Sequence, residues 1–217
     1  MRESLKAGLG EKRMYSAWPL RQAEHIVRHP GESDRYKVVH GHVAFGFHRL
    51  VDRPVKYVTV LRDPIDRFVS WMFHQGGFNG TGSVWDSPHR SMHQWGHNAM
   101  CRWLAGFDDI KDYCHGVNFD QVKPFENPPW MLEKALENID RHFLYVGDLS
   151  NAKAAFEFLW GYLGDAVIPR IENKSRTRGA YTLSDSDLSR VVEANQLDIG
   201  LYGVFKGGKA IGQHAAS

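Results

Sequence analysis

The run that most constrains this chain is Val55-Lys56-Tyr57-Val58-Thr59-Val60-Leu61, followed at once by Arg62-Asp63-Pro64-Ile65-Asp66-Arg67-Phe68-Val69-Ser70. The first seven residues are mostly β-branched or aromatic, which predicts a buried strand. Asp63 is a helix-capping residue type, Pro64 suits a first helical position, and Ile65, Phe68, Val69 and Met72 recur at helical spacing. A strand that turns so directly into a helix is the building unit of α/β sheets. It sets Arg62 at the carboxyl end of the strand, where open sheets bind ligands, beside helix amides that favour anions.

The rest of the chain repeats the alternation. Tyr36-Lys37-Val38-Val39-His40 predicts a short strand, and Phe143-Leu144-Tyr145-Val146-Gly147 a strand feeding a helix over about 150–163. Helical patterns cover 2–9, about 93–105 and 130–141, and Ser184 marks a helix start before Leu188, Val191 and Val192. Residues 74–92, with glycines at 76, 77, 80 and 82 and a proline at 88, predict a long irregular loop. No repeat or linker divides the 217 residues, so the expectation is one α/β domain over 1–217 with a mainly parallel sheet, ending in a flexible tail from 206 to 217.

Composition narrows the partners. Lys and Arg total 27 against 25 Asp and Glu, a net charge of +2, so no global field argues for nucleic acid and any anion site has to be built locally. No stretch approaches the roughly 18 apolar residues of a membrane span. Two cysteines, Cys101 and Cys114, make no disulfide framework, which favours a reducing compartment and a cytoplasmic location.

Spacing alone puts Arg67, Ser70 and His74 on the helix face opposite the apolar one, where a guanidinium and a hydroxyl converge on one phosphate. The competing interpretation pairs Arg62 and Arg67 with Asp63 and Asp66 as surface ion pairs. Arg170, Lys174, Arg176 and Arg178, with only Glu172 against them, form a second basic stretch. Two motifs are decoys. Gly203 to Lys209 has the spacing of a Walker A loop, but Ala210 stands where a Ser or Thr would hold magnesium. His89, His93 and His97 recur every four residues with no acidic partner in step, a weak metal pattern.

Taken together, Arg62 to Ser70, His40-Gly41-His42-Val43-Ala44-Phe45-Gly46, Asn98 to Gly106, Tyr145-Val146-Gly147 and Asn195 to Tyr202 resemble, in order and spacing, the carbohydrate sulfotransferases of the heparan sulfate 2-O-sulfotransferase-like group, bacterial members included. The resemblance implies a P-loop-NTPase-like sulfotransferase fold. It implies 3′-phosphoadenosine 5′-phosphosulfate (PAPS) as sulfuryl donor, a hydroxyl acceptor on a carbohydrate, and no metal. Arg62 and Ser70 fall at positions that bind the 3′-phosphate, with Arg67 beside them. His42 falls at the catalytic-base position, and His40 is the second candidate. Ser175 and Arg176 fall where a polar loop covers the nucleotide.

One part of the family pattern has no counterpart in this sequence. The family's first strand and Lys-Thr loop, which cradle the 5′-phosphosulfate, would precede the helix expected at 2–9. Their loss would leave the neighbours of an interior strand unpaired. Three readings stand: a sulfotransferase whose reading frame starts further upstream, a nucleotide-binding remnant with little or no turnover, and, disfavoured for want of a Walker A loop, a P-loop-type kinase.

Overall fold

The computed structural model describes residues 14–17, 20–41, 43–87, 89, 95–108, 116–117, 121–123, 125–163 and 181–211. The architecture is α/β, with helices flanking two small sheets. Strands β1 (Met14–Ala17) and β2 (Val38–Gly41) pair in parallel across helix α1 (Leu20–Arg28). Strands β3 (Tyr57–Leu61) and β4 (Phe143–Asp148) form a second parallel pair, to which the short β5 (Lys209–Ala210) adds antiparallel. The mainly parallel sheet expected from the sequence is thus present in two pieces, β1-β2 and β3-β4-β5.

Helix α2 (Pro64–His74) leaves β3 after two residues, and the Asp63 side chain accepts the Asp66 N–H at 3.0 Å, the cap that the sequence predicts. Helices α3 (Ala99–Ala105), α4 (Pro129–His142) and α7 (Gln196–Phe205) cover one face of the β3-β4-β5 sheet; α5 (Ala152–Leu163) covers the other, and α6 (Asp185–Ala194) packs on α2. Alternation along the strands fits these layers. Val146 joins Met131, Ala135, Ile139 and Leu201 in the main core, whereas its neighbour Tyr145 stacks on Phe158 of α5 with ring centroids 4.7 Å apart. Gly147 lets α5 close onto the sheet, since a Cβ there would lie 2.8 Å from the Ala155 Cβ and 3.3 Å from Val60.

The described part of the irregular segment expected after α2 folds inward: Phe78, Val84 and Trp85 are buried against Phe68, Met72 and Val191. The free tail expected from 206 is tied down as far as Ile211, which is buried and donates its N–H to Leu144 O, while β5 pairs with Tyr145 and Val146. The helical run expected over about 93–105 is interrupted rather than continuous: residues 95–96 are helical, Asn98 takes a left-handed backbone, φ 42°, and helix α3 begins at Ala99. Helix 2–9 lies outside the described residues.

Candidate functional site

The site is built where strands end. Val38, at the start of β2, packs against Phe156 and Trp160 of α5, and Val60, near the end of β3, lies with Gly147 close to Ala155 of the same helix. One helix thus touches both strands. Between β2 and β3 is a cavity of about 1150 Å³, walled by Val38 to Gly41 on one side and Tyr57 to Leu61 on the other. Phe156, Leu159 and Leu163 of α5 line it, as do Met100, Trp103 and Leu104 of α3.

Of the residues singled out from the sequence, Arg62 and Ser70 are half-buried, at the end of β3 and in α2, and His40 lines the cavity. Two-residue alternation places His40 on the same side of β2 as Val38, towards α5. His42, Ser175 and Arg176 lie outside the described residues. The first turn of α2 is not an open anion seat: the Asp63 carboxylate already takes the Asp66 amide, so an anion here would rest on the Arg62 guanidinium and the Ser70 hydroxyl.

Arg67 is the departure. Spacing put it on the outward face with Ser70 and His74. Instead its Nη2 donates to Gly96 O at 2.6 Å, and its Nε lies 4.0 Å from an Oδ of the fully buried Asp198. An apolar-face argument misses this because the helix is covered on more than one side, by α6 and by the start of α7. Burial pushes the Asp198 carboxyl up and the Arg67 guanidinium down, each partly offset by the other's charge.

Asp198 belongs to a buried polar lattice that sequence reading did not find. Its two oxygens accept the N–H groups of Met100 (3.0 Å) and Cys101 (2.7 Å), so a residue of α7 caps α3. In return Asn98 Oδ1 accepts the Leu197 (3.0 Å) and Asp198 (3.2 Å) amides at the start of α7, and Asn195 Oδ1 accepts the Asn98 N–H at 3.2 Å. The orphan amides of two helices are satisfied reciprocally across nearly 100 residues of sequence. The signal was present: two of the five segments that carry the family resemblance, Asn98 to Gly106 and Asn195 to Tyr202, open with Asn.

At the amino end of β3, opposite Arg62, Tyr57 Oη accepts the His48 N–H at 2.8 Å and lies 2.9 Å from His48 Nδ1. The His48 ring stacks on His142 with centroids 4.5 Å apart. Burial pushes the Tyr57 hydroxyl up to about 12 and both imidazoles below their ordinary range.

The decoys resolve as structure. His97 is buried against Phe68, Trp85 and Phe125, and its Nδ1 accepts the Phe125 N–H at 3.3 Å; His89 is exposed, and His93 lies outside the described residues. Gly207 and Gly208, both with positive φ, turn α7 into the strand β5 rather than into a helix. Among the described residues no cluster of His, Cys, Asp or Glu is placed to hold a metal, and no helix is long and apolar enough to cross a membrane. No family model matches this chain, and no curated protein matches it.

Proposed function

We propose that this chain binds PAPS at the carboxyl ends of β2 and β3 and transfers its sulfuryl group to a hydroxyl of a carbohydrate acceptor. The carrying observation is that the ends of these strands, His40-Gly41 and Leu61, border one cavity, which Arg67 of α2 also lines, and that Arg62 follows directly on Leu61. The carboxyl ends of strands are where α/β sheets bind ligands. In this reading Arg62 and Ser70 hold the 3′-phosphate, and Arg67, which lines the cavity and is engaged with Gly96 and Asp198, holds α2 in place beside them. His42 accepts the proton of the attacking hydroxyl as the new O–S bond forms. The old S–O bond breaks in line with it, and its electron pair leaves on the 5′-phosphate of adenosine 3′,5′-bisphosphate.

A second reading is a domain that binds the nucleotide without turnover, since no segment of the sequence resembles the Lys-Thr loop that would hold the 5′-phosphosulfate. Transfer from sulfur-labelled PAPS to hydroxyl-bearing polysaccharides separates the two. The expected result is transfer by the wild-type chain, a loss of roughly 10²-fold or more in kcat for His42→Ala, and a raised KM for PAPS in Arg62→Ala. Full transfer by His42→Ala would remove the base assignment. Nucleotide binding with no transfer supports the second reading, and neither binding nor transfer overturns both.

A further inference from the structure

Asn79-Gly80 is the one Asn-Gly pair in the sequence, and the fold sets it on the surface between two anchored points. Ahead of it, Phe78 is buried and its N–H bonds Met72 O at 3.1 Å. Behind it, Ser83 Oγ donates to Asp187 Oδ1 of α6 at 2.5 Å, and Val84 and Trp85 are buried in one cluster with Val191, the Trp85 ring lying 4.4 Å from the Arg190 guanidinium. Between these anchors Asn79 and Thr81 are exposed, and Gly80 and Gly82 take φ of 89° and 72°, a left-handed backbone that glycine adopts without strain.

The Asn79 side chain is held for an intramolecular reaction. Its Oδ1 accepts the Thr81 N–H at 3.0 Å and the Thr81 hydroxyl at 2.6 Å, a turn in which an asparagine oxygen bonds the main chain two residues on. Two donors on one carbonyl oxygen draw electrons from Cγ and stabilise the negative oxygen that forms when a nucleophile adds there. Nδ2, by contrast, is bonded to no described residue, so nothing retains it as a leaving group. The nucleophile that the chain itself supplies is the main-chain nitrogen of Gly80, whose attack closes a succinimide ring and which no Cβ shields.

We propose that Asn79 is a modification site at which the chain converts itself to aspartate and isoaspartate with the help of Thr81, and that the isoaspartyl form loosens the anchor at Ser83 to Trp85. The Gly80 nitrogen gives its proton to solvent base and bonds to Asn79 Cγ. The tetrahedral adduct collapses as the Cγ–Nδ2 bond breaks, and ammonia leaves with a proton from water. Water then opens the ring: addition at Cγ gives aspartate, and addition at the main-chain carbonyl carbon gives isoaspartate, whose main chain runs through Cβ and Cγ and is one methylene longer. Water is the co-reactant, and no oxidant or reductant takes part. The aspartate keeps an oxygen for the Thr81 donors. The isoaspartate inserts its extra length between Phe78 and Ser83, both of them held, and so pulls on the packing of Val84 and Trp85 against α6. The inference rests on this segment alone and holds whether or not the chain transfers sulfate.

The test follows the peptide containing residue 79 by mass spectrometry in the folded 217-residue chain, held at neutral and at mildly alkaline pH, with isoaspartate scored by enzymatic methylation. Asn151, also exposed but followed by Ala152, is the internal reference. The expected result is conversion at Asn79 at least tenfold faster than at Asn151, rising with pH because the attacking nitrogen has to lose its proton. Thr81→Val, which keeps the N–H donor and removes the hydroxyl, is expected to slow it severalfold, and Thr81→Ser to restore the wild-type rate. Conversion no faster than at Asn151, an unchanged rate in Thr81→Val, or a Thr81→Ser variant as slow as Thr81→Val overturns the proposal. The isoaspartyl form, separated by chromatography, is expected to melt below the variant Asn79→Asp, which carries the same charge without the added methylene. Equal midpoints overturn the loosening of the Ser83 to Trp85 anchor.

Discussion

Two histidines at the amino end of β3 give the chain a residue-level pH response. Burial lowers the proton affinity of His48 and His142 in the folded state, and each has cationic neighbours, Arg49 beside His48 and Lys56 and Arg141 beside His142. Between these lowered values and the ordinary value of about 6.5, the unfolded chain holds more protons than the folded one. The stability involved is therefore fully present above about pH 6.5 and is lost as pH falls through the folded-state values. Thermal unfolding is expected to show a falling midpoint from pH 7 to pH 5, and the double variant His48→Phe/His142→Phe a flatter profile. An unchanged slope in that variant would contradict the assignment. Asp148 acts lower on the scale. Burial alone would raise its pKa, but the Gly207 and Ser150 amides and the Tyr202 hydroxyl, all within 3.0 Å, outweigh that and lower it. Its contribution is present above about pH 4 and vanishes under stronger acid. Asp148→Asn is expected to flatten the acid limb of the stability curve in a urea titration.

At the scale of elements, α3 and α7 hold each other by their amino ends. Removing Asp198 leaves two α3 amides unbonded and Arg67 buried without its counter-charge. Asp198→Ala is expected to cost about 3 kcal/mol in denaturant unfolding, with Asn98→Ala less affected because it breaks hydrogen bonds without stranding a charge. A cost below that of ordinary surface substitutions would show the lattice to be incidental. This is also where sequence reading reached its limit. The strand–turn–helix at Val58 to Ser70 was legible because capping, β-branching and apolar spacing are local properties. The inward turn of Arg67 was not, since its partner lies 131 positions away and on a helix whose packing the α2 pattern does not encode. Asn98 was legible as part of a motif but not as a helix breaker, because its left-handed backbone is stabilised by bonds to α7. The irregularity of the glycine-rich stretch after α2 was legible, but the burial of Val84 and Trp85 within it was not, because that depends on packing with α6.

At the scale of the molecule, the described strands form an α/β arrangement of two sheets, β1-β2 and β3-β4-β5, and β2 and β3 line one cavity. The candidate site inherits its character from this arrangement, since the His40-Gly41 and Leu61 strand ends border that cavity and Arg62 follows directly on β3. In the proposed function these strand ends hold an adenine nucleotide by its 3′-phosphate. The most direct measurement is calorimetric titration of the 217-residue chain and of Arg62→Ala with adenosine 3′,5′-bisphosphate and with ATP. Saturable binding of the bisphosphate in preference to ATP, weakened at least tenfold by Arg62→Ala, is the expected result. Equal affinity for the two nucleotides, or bisphosphate binding untouched by loss of Arg62, would contradict it.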